Sequence, residues 1–294
     1  MKAQDYVKPF GNYSHLWAFL IMPFNPLSFR PVWKLLFTAW KSFVVLQNNR
    51  KLGFSKIKIV SVDHKLDKKI PFVPENVFIY MDFVNFFCRI MRMFVKKLGI
   101  KKGMPINIRI INFIRTLYEN ATKIYLYALT TTERPFYLKK PKFFLIRFMD
   151  PHLLCVPSLH VAIVIGVWAK VRKILLENLF STEENEKILN EIYYGSIAIT
   201  ESVLYVKQHS INCVAGALYM LSSAYEENFF SEEDCKTIIN DLLNNSDDVS
   251  NEDKTEIQKY IKEKYTELYN EYKKSQCEWV KPLHNWLDNY RPIN

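Results

Sequence analysis

The scarcity of glycine is the feature of this sequence that most restricts its fold. Only 7 of the 294 residues are glycine, and the 13 prolines are scattered along the chain. Tight hairpin turns between β-strands depend on residues that tolerate positive φ, above all glycine. A chain with few such positions and with 49% apolar residues favours long helices packed around a sizeable core. We therefore predict an all-α fold.

The composition divides the chain into three predicted regions. Residues 1–66 form an N-terminal helical region in which Trp, Phe and Leu are interleaved with sparse basic residues such as Arg30, Lys34 and Lys41. Residues 67–226 form a helical core, and residues 227–294 form a charged helical C-terminal appendage. One large domain with an appendage agrees with the chain length.

Hydrophobic periodicity places the individual helices. We expect helices over residues 30–46, 76–98, 104–129, 157–180, about 190–206, 208–225 and 253–275. Pro157 is expected to begin its helix, because proline is well tolerated in a first helical turn. The acidic stretch 181–188 is expected to be a connector, and Ser231 opens a further helix in capping-box order.

Charge is distributed unevenly between the two parts of the chain. Residues 1–180 carry 29 Lys and Arg against 9 Asp and Glu, a net +20, whereas residues 181–294 carry 11 against 21, a net −10. A basic front half indicates contact with phosphates, on an anionic lipid surface or a nucleic acid. An ordinary solvated surface is an equal alternative. Nucleic acid ranks last as a partner and is not expected, because no recognised binding motif appears and the lysines are dispersed.

Cysteine usage and the uncharged stretches bear on localisation. The five cysteines are odd in number and lack framework spacing, which predicts the reducing, cytoplasmic side of a membrane. The N-terminal segment MKAQDYVKPF does not resemble a signal peptide. Residues 9–29, 151–169 and 208–225 lack charged side chains over roughly the ~20 residues that a membrane span needs, but prolines and polar residues interrupt them. We therefore predict amphipathic helices on a membrane surface in preference to spanning helices.

The segment CVPSLHVA, residues 155–162, places a hydroxyl and an imidazole at the start of an apolar run. A helix beginning at Pro157 presents free backbone N–H groups and the positive end of its dipole, an arrangement that binds anions. Ser158 is suited to donate to a phosphate oxygen, and His160 is suited to transfer a proton beside it. A capping role is the commoner role for such residues at a helix start.

Two further segments supply complementary chemistry. His209 follows Lys207 in ESVLYVKQHSINCVAG, and Arg134 precedes a proline in TTERPF. Two histidines, a serine, a lysine and an arginine suffice for phosphoryl transfer. The cations hold the phosphate oxygens, one histidine attacks phosphorus, and the other protonates the leaving oxygen.

Taken together, these segments resemble the type 2 phosphatidic acid phosphatase and vanadium haloperoxidase superfamily, especially its inositol phosphorylceramide synthase-like branch. ERP at 133–135 resembles the end of the first family motif, PSLH at 157–160 the second, and SVLYVKQH at 202–209 the third. The run 67–83 also resembles the approach to the first motif, so the resemblance covers about residues 67–220.

The resemblance implies an all-α helical bundle of the phosphatidic acid phosphatase kind. It implies that His209 is the nucleophile that forms a phosphohistidine, and that His160 is the general acid. It also implies that Arg134, Ser158 and Lys207 bind the phosphate, with no metal and no other cofactor. The expected activity is phosphomonoester hydrolysis, or transfer of a phosphoryl headgroup, on a lipid phosphate.

The chain departs from the family pattern at three positions. Tyr127 stands where the first motif has Lys, and Val203 stands where the third motif usually has Arg. Cys213 replaces the Asp that orients the nucleophilic histidine, and in a comparable triad loss of that carboxylate cost about 10⁴ in rate. Asn212 and Glu201 are candidates to take its place. The alternative is a catalytically impaired member that binds phosphate or lipid at a membrane surface.

A metal site is a further alternative. His209 and Cys213 are four residues apart, a spacing that places two side chains on one helix face. With Cys155 and His160 they make up the ligand set of a Cys2His2 zinc site. Buried cysteine acting as a small apolar side chain is the commoner outcome.

Overall fold

The computed structural model describes residues 6–137, 139, 141–226 and 228–292. The described helices are α1 (Leu16–Leu20), α2 (Phe29–Ala39), α3 (Leu46–Lys51), α4 (Val77–Tyr80), α5 (Phe83–Tyr125), α6 (Pro141–Met149), α7 (Leu159–Leu175), α8 (Thr182–Tyr205), α9 (Ile211–Ser223), α10 (Glu232–Asp241), α11 (Asn251–Ser275) and α12 (Val280–Asn289). A π-helical segment (Trp40–Val45) joins α2 to α3, and 3-10 turns span Lys65–Lys69 and Pro74–Asn76. The predicted all-α class is confirmed.

Helix α7 lies at the centre of the fold. Its sequence, LHVAIVIGVWAKVRKIL, is apolar around most of its circumference, which is typical of a fully buried helix. It packs against α5, α8 and α9. A Cβ atom at Gly166 would lie 2.9 Å from the Phe113 ring of α5 and 3.1 Å from Leu221 of α9, so this glycine allows the three helices to approach closely.

Helix α5 reverses direction in its middle. Gly99 has φ 74° and ψ 170°, which breaks the helix where the sequence predicts a gap between two helices. Asn107 donates to the Met91 carbonyl at 3.0 Å, and a Cβ atom at Gly103 would lie 2.7 Å from the Val95 Cα. A continuous straight helix separates such pairs by many ångströms, so the two halves run antiparallel.

Two predicted helix boundaries are wrong. Pro157 does not begin α7: Ser158 is the N-cap, and its hydroxyl accepts from the Val161 N–H at 3.4 Å. The acidic stretch 181–188 is not a connector, because α8 begins within it under a cap from Ser181. Glu183 and Glu184 occupy the first turn of α8, where the helix dipole stabilises negative charge.

A small parallel sheet was not predicted, because each of its strands has only three residues, too few for an alternating pattern. Strand β1 (Ile59–Ser61) pairs with β2 (Leu129–Thr131) in register from Ile59 with Leu129 to Ser61 with Thr131. The Thr130 hydroxyl accepts from the backbone N–H groups of Cys155 and Val156 at 3.0 and 2.7 Å. The sheet thereby holds the segment that leads into α7.

The C-terminal helices pack on the core, chiefly α11 against α9. The Asn212 amide group donates to the Tyr290 hydroxyl at 2.9 Å, and its oxygen accepts from Tyr260 at 2.8 Å. Glu201 of α8 accepts from the Leu243 N–H at 2.7 Å. The first turn of α9 is thus held by side chains from the last 40 residues.

The N-terminal helices lie against the outside of α5. Val32 and Ser42 are buried on their inner side, whereas Trp33, Phe37 and Trp40 are exposed on their outer side. Over the described ranges, none of the helices combines the length and apolar character needed to cross a membrane.

Candidate functional site

The structure brings His160 and His209 together across 49 residues of sequence. His160 is the second residue of α7, and His209 lies in the turn between α8 and α9. His160 Nδ1 and His209 Nε2 are 3.3 Å apart. Rings of Tyr80 and Phe83 lie 4.6 and 4.4 Å from the His160 ring, so aromatic side chains fix its position.

The histidine pair lies on the wall of a cavity of about 370 Å³. This volume falls within the range of small-molecule binding sites. Most of the wall is apolar or aromatic, and the polar side chains are concentrated on one part of it. The lining comprises Phe43, Tyr80, Met81, Phe83, Val84, Tyr118, Ile146, Asp150, His152, Leu154, Cys155, Leu159, His160 and His209.

His160 is a neutral imidazole in the unliganded protein. Burial is the main cause, and the nearby His209 adds to it; together they lower the pKa of His160 to about 3. Asp150 and Cys155 act in the opposite direction but do not compensate. His160 therefore accepts a proton readily only when an anion enters the cavity.

Sequence reasoning missed a second polar group in the same cavity, formed by Asp150, His152 and Cys155. The Cys155 Sγ lies 3.6 Å from His152 Nε2, which also lies 2.7 Å from the Thr132 hydroxyl. Asp150 accepts from the His152 backbone N–H at 2.9 Å. The available signal was the grouping of three titratable side chains in DPHLLC, at the start of the uncharged stretch 151–169.

The contacts within this group favour the charged forms of Cys155 and His152. Burial opposes both charges, but the contacts between them prevail: the pKa of Cys155 is held well below its usual range, and the pKa of His152 is raised to about 9. Contacts with Cys213 and His209 also lower the pKa of Cys155. Burial acts to raise the pKa of Asp150, but the His152 partner and the charge of Arg134 lower it to about 2.

Cys213 does not take over the role of the orienting Asp. Burial keeps its pKa well above the usual range, and its sulfur accepts the Ser210 N–H at 3.3 Å. Among the described residues, His209 Nδ1 is buried without a hydrogen-bond partner. Asn212 and Glu201 do not replace the carboxylate either, since their amide and carboxylate groups are engaged with the C-terminal region.

Arg134 lies beside the histidine pair, connected through Gln208. Its Nη1 donates to the Gln208 side-chain oxygen at 3.2 Å, one residue before His209. A second guanidinium, Arg147 of α6, was not predicted; burial and the charge of Arg134 lower its pKa. Arg147 donates to the Pro135 carbonyl, and within the described residues its Nε is buried without a partner. Two neighbouring guanidinium groups favour an anion between them.

The other two predicted phosphate ligands lie away from the histidine pair. Ser158 is fully buried and serves as the cap of α7. The Lys207 ammonium donates to the carbonyl oxygens of Asp67, at 2.5 Å, and Ile70. Lys207 lines a separate cavity of about 810 Å³, which Arg134 also borders. Lys207 has positive φ, 53°, in the turn that reverses the chain, and this directs its side chain to the 67–70 segment.

The geometry does not support the Cys2His2 zinc alternative. In the part of the chain that the structure describes, no three His, Cys, Asp or Glu side chains are arranged to hold a metal ion.

Searches of protein-family models, of curated proteins and of solved structures find no match to this chain.

Proposed function

We propose that this chain is a metal-independent phosphohydrolase or phosphotransferase of the phosphatidic acid phosphatase kind, acting on a lipid phosphomonoester through His209. One observation carries the proposal. His160 and His209 lie 3.3 Å apart on the wall of a largely apolar cavity, and Arg134, which has Arg147 near it, donates to Gln208, the residue before His209.

Each histidine has one task in this proposal. His209 Nε2 attacks phosphorus, and the bond between phosphorus and the leaving oxygen breaks, which leaves a phosphohistidine. The leaving oxygen takes its proton through His160, whose Nδ1 lies 3.3 Å from the attacking Nε2. Water then attacks the phosphohistidine while neutral His160 accepts its proton, and phosphate departs from a regenerated His209. Attack by an alcohol in place of water gives headgroup transfer.

Arg134 and Arg147 bind the equatorial phosphate oxygens in this proposal. Arg134 is itself the arginine of the first motif, and Arg147 stands in for the family cations that are missing at Tyr127 and Val203. Arginine suits this role because its planar fork matches two oxygens of one phosphate. The Arg147 Nε atom, buried without a partner among the described residues, is available to such a ligand.

Cys155 supplies negative charge near His209 in the absence of the family Asp. His209 and Cys155 are close enough for their contact to lower the pKa of the thiol. A thiolate stabilises the positive charge that develops on His209, but as a weak hydrogen-bond acceptor it orients the ring less well than a carboxylate. We therefore expect slow turnover.

The apolar part of the cavity favours a substrate with a hydrocarbon chain. Phe43, Ile146 and Phe83 are among the apolar side chains that line it. A charged sugar phosphate would leave these surfaces uncovered or desolvate its hydroxyls against them. In a lipid phosphate, the phosphate would contact the polar part of the wall and the hydrocarbon chain would contact the apolar part.

The second candidate function is binding without turnover. The observation that favours it is the unpartnered Nδ1 of His209, since a mobile or wrongly protonated imidazole is a poor nucleophile. In that case the same cavity retains a lipid phosphate and does not cleave it.

Phosphate release from a panel of lipid and soluble phosphomonoesters, without added metal, tests the proposal. We expect slow release by the wild type, abolished by His209→Ala and raised by Cys213→Asp, which restores a carboxylate at the family position. A silent wild type that Cys213→Asp activates would indicate the binding function. Silence in all variants, with no retained lipid phosphate in the purified protein, would overturn both.

A further inference from the structure

We propose that the outer side of α1–α3 docks the protein onto the surface of an anionic lipid bilayer. This surface, the N-terminal apolar face, is defined by Leu20, Phe24, Trp33, Leu36, Phe37 and Trp40. Their exposed fractions run from 47% for Trp33 to 72% for Phe24. A cluster of large apolar side chains at this exposure marks an interaction surface on an otherwise well-buried fold.

The helix spacing shows that the face is continuous. Trp33, Phe37 and Trp40 recur at helical intervals on one side of α2 and the π segment, and Val32 and Phe43 point to the core on the other. A helix that is apolar on both sides needs an apolar partner on both. The core covers the inner side, and among the described residues nothing covers the outer side.

The charge around the face identifies the partner. Residues 6–62 contain eight Lys and Arg and no Asp or Glu. Arg30, Lys34 and Lys41 are exposed and border the face. Basic residues flanking an aromatic surface are typical of helices that lie in the interface of an anionic bilayer. A symmetric pairing of two copies through this face would instead bring like charges together.

The face adjoins the cavity of the histidine pair. Phe43, on the inner side of the π segment, lines one wall of that cavity, and Ile146 of α6 lines another. Phe144 and Phe148 of α6 are 59% and 76% exposed, and Lys142 and Arg147 are partly exposed on the same helix. Docking through α1–α3 would bring this part of the cavity wall to the lipid surface. The docking proposal does not depend on the chemistry of the histidines.

Co-sedimentation with vesicles tests the docking. We use full-length protein with vesicles of phosphatidylcholine alone or with about one third phosphatidylserine. We expect binding to the anionic vesicles, weakened by salt and at least tenfold weaker to the neutral ones. Lys34→Glu with Lys41→Glu should reduce anionic binding by about tenfold or more. Phe37→Ser with Trp40→Ser should reduce it at least as much.

Two controls separate docking from folding and from catalysis. Leu176→Ser alters an equally exposed leucine, 77%, outside the face and should bind as the wild type does. His209→Ala should also bind normally, so a failure of the proposed chemistry leaves docking intact. The proposal would be overturned if the wild type and the Phe37, Trp40 variant bound the vesicles equally well. It would also be overturned if the wild type did not bind vesicles but self-associated, and this variant abolished the self-association.

Discussion

The His160 imidazole is the residue whose surroundings most restrict the chemistry. Tyr80 and Phe83 enclose it, and its pKa of about 3 leaves it uncharged at neutral pH. As the general acid of the proposed mechanism, His160 therefore has to gain its proton after the substrate binds. A phosphomonoester monoanion brings one, whereas the dianion does not.

This requirement predicts an acidic pH profile. Because His160 is neutral throughout the range above pH 3, kcat/KM for a lipid phosphomonoester should follow the monoanion fraction of the substrate. That fraction falls through a phosphate pKa of about 6, so we expect about a tenfold loss between pH 7 and pH 8. Steady-state rates on an alkyl phosphate measure it. An aryl phosphate with an acidic phenol leaving group needs no proton and serves as the control; a flat alkyl profile would contradict the assignment.

The Cys155 thiol offers a second measurement on a single residue. Because its pKa is held well below the usual range, alkylation by iodoacetamide should slow less between pH 8 and pH 6 than alkylation of an ordinary thiol does. An ordinary thiol, with a pKa near 8.5, slows by about tenfold per pH unit over this range. Mass spectrometry of the Cys155 peptide follows the reaction.

Two comparisons make the Cys155 measurement specific. Cys88 is buried with its pKa raised to about 12 and should remain unmodified. His152→Ala removes the imidazolium and should restore an ordinary pH dependence to Cys155. Ordinary dependence already in the wild type would refute the ion pair.

A helix could be predicted where its hydrophobic periodicity is contained within the helix itself. The stretch 30–46 and the helix that ends at Ser275 follow from periodicity alone, and the gap between 98 and 104 coincides with the reversal at Gly99. The predicted boundaries at Pro157 and at residues 181–188 were wrong because a serine cap decided each start: Ser158 lies one residue after Pro157, and Ser181 lies about nine residues before the predicted start of its helix. A three-residue strand has no pattern to detect, and its pairing partner lies 70 residues away.

The reversal in α5 predicts that substitution of Gly103 destabilises the fold. A methyl group at Gly103 would lie 2.7 Å from the Val95 Cα, and backbone atoms cannot rotate away as a side chain can. Gly103→Ala should therefore destabilise the fold by about 2 kcal/mol or more, despite the higher helix propensity of alanine. Chemical denaturation gives the free energy of unfolding. Lys102→Ala, at the exposed neighbouring position, should stay within about 0.5 kcal/mol of the wild type; an equal loss in both would show that packing at the reversal is not the cause.

Across the whole molecule, the histidine pair and the C-terminal helices are parts of one packed unit. Glu201 of α8 and Asn212 of α9 both bond to the region beyond residue 240, on either side of His209 in the sequence. The motifs PSLH and KQH predicted which histidines meet. Cys155 was grouped with the pair only as a zinc ligand. Arg147 had no such signal, because its proximity to Arg134 depends on how α6 folds.

The contact between Glu201 and Leu243 predicts how stability depends on pH. Burial raises the pKa of Glu201 to about 7, although the Leu243 N–H opposes it. A raised carboxyl pKa means that its contribution to stability is complete below the unfolded value near 4.3 and is lost as pH rises through about 7. Glu201→Gln keeps an oxygen for the Leu243 N–H and does not titrate. It should match the wild type at pH 5 and be more stable at pH 8, by on the order of 2 kcal/mol.

Thermal melts at the two pH values measure this effect, which corresponds to a rise of roughly 4–8 °C at pH 8. Glu186→Gln, at an exposed position of the same helix, should not change the melting temperature at either pH. A stabilisation equal at pH 5 and pH 8 would show that ionisation of Glu201 is not responsible.

The hydrogen bonds of the Asn212 side chain can all form only late in the synthesis of the chain. Its side chain is buried, and its partners Tyr260 and Tyr290 are made long after His160 and His209. A nascent chain that has emerged only to residue 226 carries both histidines but not the two tyrosines, so of these side-chain bonds only the one to the Val62 carbonyl can form. The ribosome therefore delivers the histidine pair first and the groups that hold the first turn of α9 in place last.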